Sequence, residues 1–410
     1  MAARADGTHR GARMLIVMSY PSPLARGYDG SPTPAATAPA PAPSALPSLP
    51  VLPAKGRRAA PWLFGILVVA LLGIVAYFLE ALGPGAAIVG AFIALLPLTA
   101  VLLAVRFVDR WEPEPKSLVV LAVAWGAVAA VAIALGVDLL LRVAFGAADT
   151  PLREALQSVV QAPIVEEFAK GLGVLLIFLT ARRAFDGPVD GVVYGALVAA
   201  GFAFTENIQY FAVSIIEGGA SQLTMTFFLR GILSPFAHVM FTSITGFALG
   251  LAARRGATAG AAVGPWLLGI GGAAVLHALW NASAQFFDFF ALYAALQVPL
   301  FVVFILGIML LRAEERRLTA ERLGEYAAAG WFTAQEVTML ATIRGRRSAL
   351  AWARTLRGDR TTVMKGFIRD ATTLAAVRQR MVTGRDPSAA SDESTLLART
   401  VAARRALFAP

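Results

Sequence analysis

Two of the three histidines in this 410-residue chain, His238 and His277, fall inside long apolar runs, as do the carboxylates Glu166, Glu167 and Glu206. An ionisable side chain at bilayer depth costs roughly 2.5–3.5 kcal/mol on insertion scales and usually marks a working site. Two imidazoles and three carboxylates are suited to activating water and protonating a leaving group. Spacing adds detail. Glu166 and Lys170 stand at i,i+4, and Glu167 and Lys170 at i,i+3, so the ammonium can pair with either carboxylate. His277 and Asn281, in HALWN, share a helix face. Glu206 adjoins Asn207, about 100° round the helix, so only one of them can point squarely at a site. Asn207 by itself reads as interhelical hydrogen-bonding glue.

The elements that hold these residues follow from composition. The chain is 57% hydrophobic and 15% charged, with a mean hydropathy of +0.67, whereas soluble domains carry about 25% charged residues. An all-α, polytopic transmembrane helical bundle is the expected fold. Eight runs have the roughly 20-residue length a span needs: near 61–82, 85–106, 117–140, 157–181, 190–214, 227–252, 265–287 and 289–311. Cations gather in alternate connections, at Arg106, Arg110 and Lys116, at Arg182 and Arg183, at Arg254 and Arg255, and at Arg312, Arg316 and Arg317. The positive-inside rule then puts both termini in the cytoplasm and the chain in the cell membrane.

Residues 1–60 form a Pro/Ala-rich tail expected to be disordered, 61–312 a transmembrane domain, and 313–410 a small, basic, helical cytoplasmic region. The net charge of +10 fits loops facing anionic lipid rather than nucleic acid. With no cysteine, thiolate nucleophiles and Cys-ligated zinc are excluded.

Depth ties the polar groups together. Glu167 lies 15 residues before Arg182, Glu206 lies 15 after Gly191, His238 lies 16 before Arg254, and His277 lies 12 after Pro265. At 1.5 Å per residue all four stand about 18–24 Å from the cytoplasmic boundary. Four antiparallel spans thus place ionisable groups in one layer, somewhat outward of the midplane. A register-fixing ion pair of Glu166 with Lys170 explains one helix but not the coincidence of four. An ion- or proton-coupled transporter is the alternative reading, since it also buries carboxylates and histidines.

At these residues the chain resembles the PrsW family of intramembrane proteases, within the group that includes the CAAX prenyl endopeptidases and the Abi proteins. The resemblance rests on Glu166-Glu167-x-x-Lys170, Phe202-x-x-x-Glu206-Asn207, the stretch RGILSPFAH from Arg230 to His238, His277-x-x-x-Asn281, and the surface motif DRWEPEP. It spans roughly residues 60–312. It implies hydrolysis of a peptide bond in a membrane-tethered protein, such as an anti-sigma-factor-like regulator. The prenyl endopeptidases carry Arg and His where this chain has Lys170 and Glu206, which argues against a CAAX substrate. The family has been described both as metallo- and as glutamic-type.

Amide cleavage needs an activated water, oxyanion stabilisation and a proton for the leaving amine. In a metal-free version Glu167 is the general base, His238 and His277 orient the water and protonate the amine, and Asn281 donates to the oxyanion. In a metal version His238, His277 and Glu206 bind a divalent ion such as zinc, with Glu166 or Glu167 as base. The HExxH spacing of common zinc proteases is missing, so no cofactor is independently called for and the metal-free version is preferred. Lys170, Asn207 and Arg230 take supporting parts.

Overall fold

The computed structural model describes residues 61–147, 150–384 and 386–409; the tail expected at 1–60 lies outside the described residues. All regular structure among the described residues is helical. They fall into two compact units, one of residues 61–314 with Arg380–Pro387 and one of Glu315–Gln379 with residues 388–409.

In the first unit, α1 (Pro61–Ala81) and α2 (Pro84–Val108) join through Gly83 at φ 74°, a left-handed value that glycine tolerates, with Pro84 starting the next helix. α3 (Lys116–Phe145) carries a π-turn at Trp125–Ala130. α4 combines Pro151–Leu156, a π-turn at Gln157–Gln161 and Ala162–Thr180. α5 (Pro188–Phe227) leads through a π-turn at Phe228–Leu233 into α6 (Ala237–Arg254), followed by α7 (Val263–Phe286) and α8 (Phe289–Ala328).

Among the described residues, six continuous stretches are long and apolar enough to cross a membrane, against eight runs expected from sequence. The difference has two sources. The 67-residue stretch Pro188–Arg254 is broken at Gly219 (φ 61°, ψ −147°) and again at the π-turn, so α5 and α6 are separate limbs. Segment Ala162–Thr180 holds Glu166, Glu167 and Lys170, too many charges to qualify by composition. Those charges are the ones that carry chemistry.

α5 is the central helix, packed by α2, α3, α4 and α6, whereas α8 is the least enclosed of the apolar stretches. Outward residues such as Phe64, Leu72 and Leu268 are bare, as expected of side chains facing lipid. α5 and α6 run antiparallel in close contact because Gly191 meets Gly246. A Cβ on either would fall within 2.0 Å of the other's backbone oxygen. This small-residue crossing brings α6, with His238 and Thr242, against the helix that bears Glu206.

Two indoles clamp α4. Trp125 Nε1 donates to Ala169 O (3.0 Å) and Trp266 Nε1 to Gly171 O (2.9 Å). Gly173 makes room for the first, since a Cβ there would sit 2.2 Å from the Trp125 ring. The motif DRWEPEP is a tied turn: Glu114 N donates to Asp109 Oδ2 (3.1 Å), and Tyr194 Oη on α5 donates to Glu114 Oε2 (2.6 Å).

The second unit contains the end of α8, α9 (Ala334–Ala341), α10 (Ile343–Thr355), most of α11 (Thr361–Thr383) and α12 (Ala389–Phe408). Leu323, Leu340, Met364, Leu374 and Leu396 are fully buried in it. Thr333 and Glu336 form a reciprocal capping box on α9. A buried pair of Arg399 with Asp370 joins α12 to α11, with Nη2 2.9 Å from Oδ2.

Candidate active site

α4 contributes Glu166, Glu167 and Lys170 on successive positions of one face. Glu167 and Lys170 have no exposed surface. Lys170 Nζ donates to Glu167 Oε1 at 2.6 Å and lies 3.4 Å from Glu166 Oε2 and 4.1 Å above the Phe202 ring. Thr242 Oγ1 donates to Glu167 Oε2 at 2.8 Å. With the His277 contact at 3.1 Å on Oε1, both oxygens of Glu167 are engaged. Glu166 is the less constrained carboxylate, its side chain retaining 14% exposure.

The hydrogen-bond partners define the imidazole tautomers. His277 Nδ1 faces the Glu167 carboxylate, which can only accept, so Nδ1 carries the hydrogen, and in the neutral ring Nε2 presents a lone pair. That Nε2 is 3.9 Å from Glu166 Oε2. His238 Nδ1 receives the Lys170 ammonium at 3.2 Å, and its Nε2–H donates to Glu206 Oε2 at 2.8 Å. The two rings meet edge to face, centroids 4.9 Å apart, and Phe241 stacks on His277.

On the far side of His238, Arg230 Nη2 donates to the same Glu206 oxygen, and its Nε donates to Asn207 Oδ1 at 2.8 Å. The guanidinium lies 3.8 Å above the Tyr210 ring. Arg230 comes from the π-turn between α5 and α6, so the RGILSPFAH stretch closes back on α5. Both Glu206 and its neighbour Asn207 are thus used, Glu206 on His238 and Arg230 and Asn207 on Arg230.

Of the residues expected at the site, Glu166, Glu167, Lys170, Glu206, Asn207, Arg230, His238 and His277 form one contiguous network. Asn281 is placed differently: its Nδ2 donates to Ser158 O at 2.8 Å, fastening α7 to the π-turn of α4. Among the described residues, the three side chains whose donor atoms all lie within 4.8 Å of one another are Glu166, His238 and His277, rather than the expected trio with Glu206. Two nitrogens and one carboxylate oxygen are an ordinary set for a catalytic divalent metal. Glu167 on His277 Nδ1 is the kind of outer carboxylate that orients such a ligand. The donor types fit a metal, with His238 engaged at both ring nitrogens, by Lys170 and by Glu206, in the metal-free network.

Sequence reasoning missed Thr242. It stands four residues after His238, the same spacing that paired His277 with Asn281, so it was findable.

Fold and site together define a polytopic helical membrane protein whose interior holds a closed network of acids, imidazoles and cations. Residues 114–334, more than half the chain and all of the site, match the PrsW family intramembrane metalloproteases. The chain belongs to that family. Among curated proteins it is 34% identical over 144 residues to the protease PrsW of Geobacillus kaustophilus, a match covering 35% of this chain and 58% of that protein. It is 29% identical over 155 residues to protease PrsW of Clostridioides difficile, covering 38% and 62%. For protease PrsW of Bacillus subtilis the figures are 38% over 79 residues, 19% and 33%. The chain thus spans less than two thirds of the length of these relatives. No solved structure matches it significantly.

Proposed function

We propose that the chain is an intramembrane endopeptidase that hydrolyses a peptide bond of a membrane-tethered protein. The observation that carries this reading is the pair of proton acceptors, Glu166 Oε2 and His277 Nε2, 3.9 Å apart. One water can donate a hydrogen to each. Glu166 then takes the proton as the water's oxygen attacks the carbonyl, and returns it to the departing amine. Glu167, held by Lys170, Thr242 and His277, is the positioning residue that keeps His277 Nε2 bare. The cationic groups Lys170 and Arg230 offset the three carboxylates around the reacting atoms.

The same two atoms serve a metal reading. Glu166, His238 and His277 would hold a divalent ion such as zinc, which when bound supplies Lewis acidity and a more acidic water. To take part, His238 would give up its contact with Lys170 or with Glu206.

The gathering of cations in alternate connections supports a cell-membrane protein with both termini cytoplasmic and the site toward the outer leaflet. A membrane-anchored regulator of the anti-sigma-factor kind is the substrate we favour, on the family resemblance. The test is the full chain reconstituted in vesicles with single-span membrane proteins. Cleavage that is lost in Glu166→Gln and His277→Ala, with both variants folded, is expected; wild-type cleavage in either removes this assignment.

A further inference from the structure

Amide cleavage needs a donor for the oxygen that becomes an oxyanion. Asn281, expected in that part, gives its amide to Ser158 O instead. The donors must come from elsewhere in the site.

The network is closed on one side and open on the other. Glu167 and Lys170 have no exposed surface, and the His277 side chain keeps 4%. Arg230 and Glu206 keep 24% and 18% of theirs. Tyr210, one turn beyond Glu206 on the same face of α5, is 45% exposed. The charged groups that act on the Tyr210 hydroxyl are Glu206, Arg230 and Glu166. All three keep accessible surface, so Tyr210 marks the side from which a peptide can reach Glu166.

Two donors on that side are uncommitted. Arg230 spends Nε on Asn207 Oδ1 and Nη2 on Glu206 Oε2, which fixes the plane of the guanidinium. Its Nη1 has no acceptor among the described residues. The Tyr210 hydroxyl likewise has no hydrogen-bond partner among them, although its ring lies 3.8 Å under the guanidinium. Glu206 Oε2 joins this pair to the rest of the site, since it also accepts from His238 Nε2 at 2.8 Å. The guanidinium thus stands one carboxylate oxygen away from the ring that meets His277 edge to face.

We propose that Tyr210 Oη and Arg230 Nη1 are the oxyanion donors of the hydrolysis. The scissile carbonyl enters with its oxygen toward them and its carbon toward the water shared by Glu166 and His277. As the water's oxygen bonds to the carbon, its proton goes to Glu166 and the carbonyl π pair moves onto oxygen. That oxygen accepts both hydrogen bonds, and neither donor loses its proton. When the carbonyl reforms, the C–N bond breaks and Glu166 passes its proton to the amine. Donors already in place need no reorganisation as the charge develops. The inference rests on the peptidase reading.

The test measures cleavage of a single-span protein by the full chain in vesicles. Alongside it, the Ki is taken for a peptide whose scissile amide is replaced by a phosphinate, a tetrahedral anion. Tyr210→Phe keeps the ring under Arg230 and deletes only the hydroxyl, so its melting temperature should match the wild type. Its kcat should fall about 10²-fold with KM nearly unchanged, and the Ki should rise by the same factor. Arg230→Lys keeps a charge beside Glu206 but not the planar fork, and should show the same pairing of lower kcat and raised Ki. Wild-type kcat and Ki in Tyr210→Phe overturn the oxyanion role and leave the peptidase reading standing. So does a loss confined to KM, which would make Tyr210 a group that binds the uncut peptide. No cutting by the wild type overturns both.

Discussion

His277 is held through one ring nitrogen and bare at the other: Nδ1 lies 3.1 Å from Glu167 Oε1, and Nε2 lies 3.9 Å from Glu166 Oε2. Adjacent glutamates on one helix therefore have unequal parts. Glu166→Gln removes the acceptor that meets the water and should lower kcat about 10²–10⁴-fold, with KM nearly unchanged. Glu167→Gln leaves Glu166 in place but withdraws a charge from Lys170 and offers His277 an amide that can flip. Its activity loss should come with a fall in melting temperature, which Glu166→Gln should not show. Equal melting curves and equal activities would remove the distinction.

Thr242 gives a milder test of the same geometry. Its hydroxyl completes Glu167 Oε2 from α6, so Thr242→Val keeps the shape and leaves a buried carboxylate oxygen short of a donor. The cost expected is about 1–3 kcal/mol. Thr242→Ser should restore most of it. A valine variant as stable as wild type would mean the hydroxyl is not needed to hold Glu167.

Much of this was readable in the chain itself. The helical class follows from apolar runs of span length, and the layer of Glu167, Glu206, His238 and His277 from counting residues to the cationic boundaries. Depth, though, says nothing about azimuth. Glu206 shares the layer, yet Arg230 and His238 Nε2 occupy it, and it is Glu166, one residue from the anchored Glu167, that stands with the two imidazoles. Asn281 shares a face with His277, but its amide reaches the carbonyl of Ser158, 123 residues distant. The indole contacts of Trp125 and Trp266 with α4 join helices far apart in sequence, and such pairs leave no periodic mark.

In the second unit, the pair of Asp370 with Arg399 is buried on both sides. Removing one partner leaves a buried charge with weaker compensation, Asp370 keeping only Arg369 Nε at 3.6 Å. Asp370→Asn or Arg399→Met alone should therefore destabilise, by less than the roughly 3–5 kcal/mol of a fully broken buried pair. The combined Asp370→Leu, Arg399→Met variant should recover most of that loss. Thermal unfolding of the full chain, followed by a probe in α12, measures it. Additive losses in the combined variant would show that the pair is not coupled.

Metal content separates the two candidate ligand sets. If Glu166, His238 and His277 hold the ion, His238→Ala and His277→Ala should each lose bound metal, measured by elemental analysis of the purified chain. Glu206→Gln should retain it, because that carboxylate acts on His238 from the Arg230 side. Loss of metal in Glu206→Gln with retention in Glu166→Gln would restore the set first expected from sequence. Chelation should abolish cleavage, and added zinc should return it, if the ion supplies the activated water. Cleavage that survives chelation in metal-free protein leaves Glu166 and the lone pair of His277 as the groups that activate water, and the loss in Glu166→Gln should then be as deep as in the metal-bearing case.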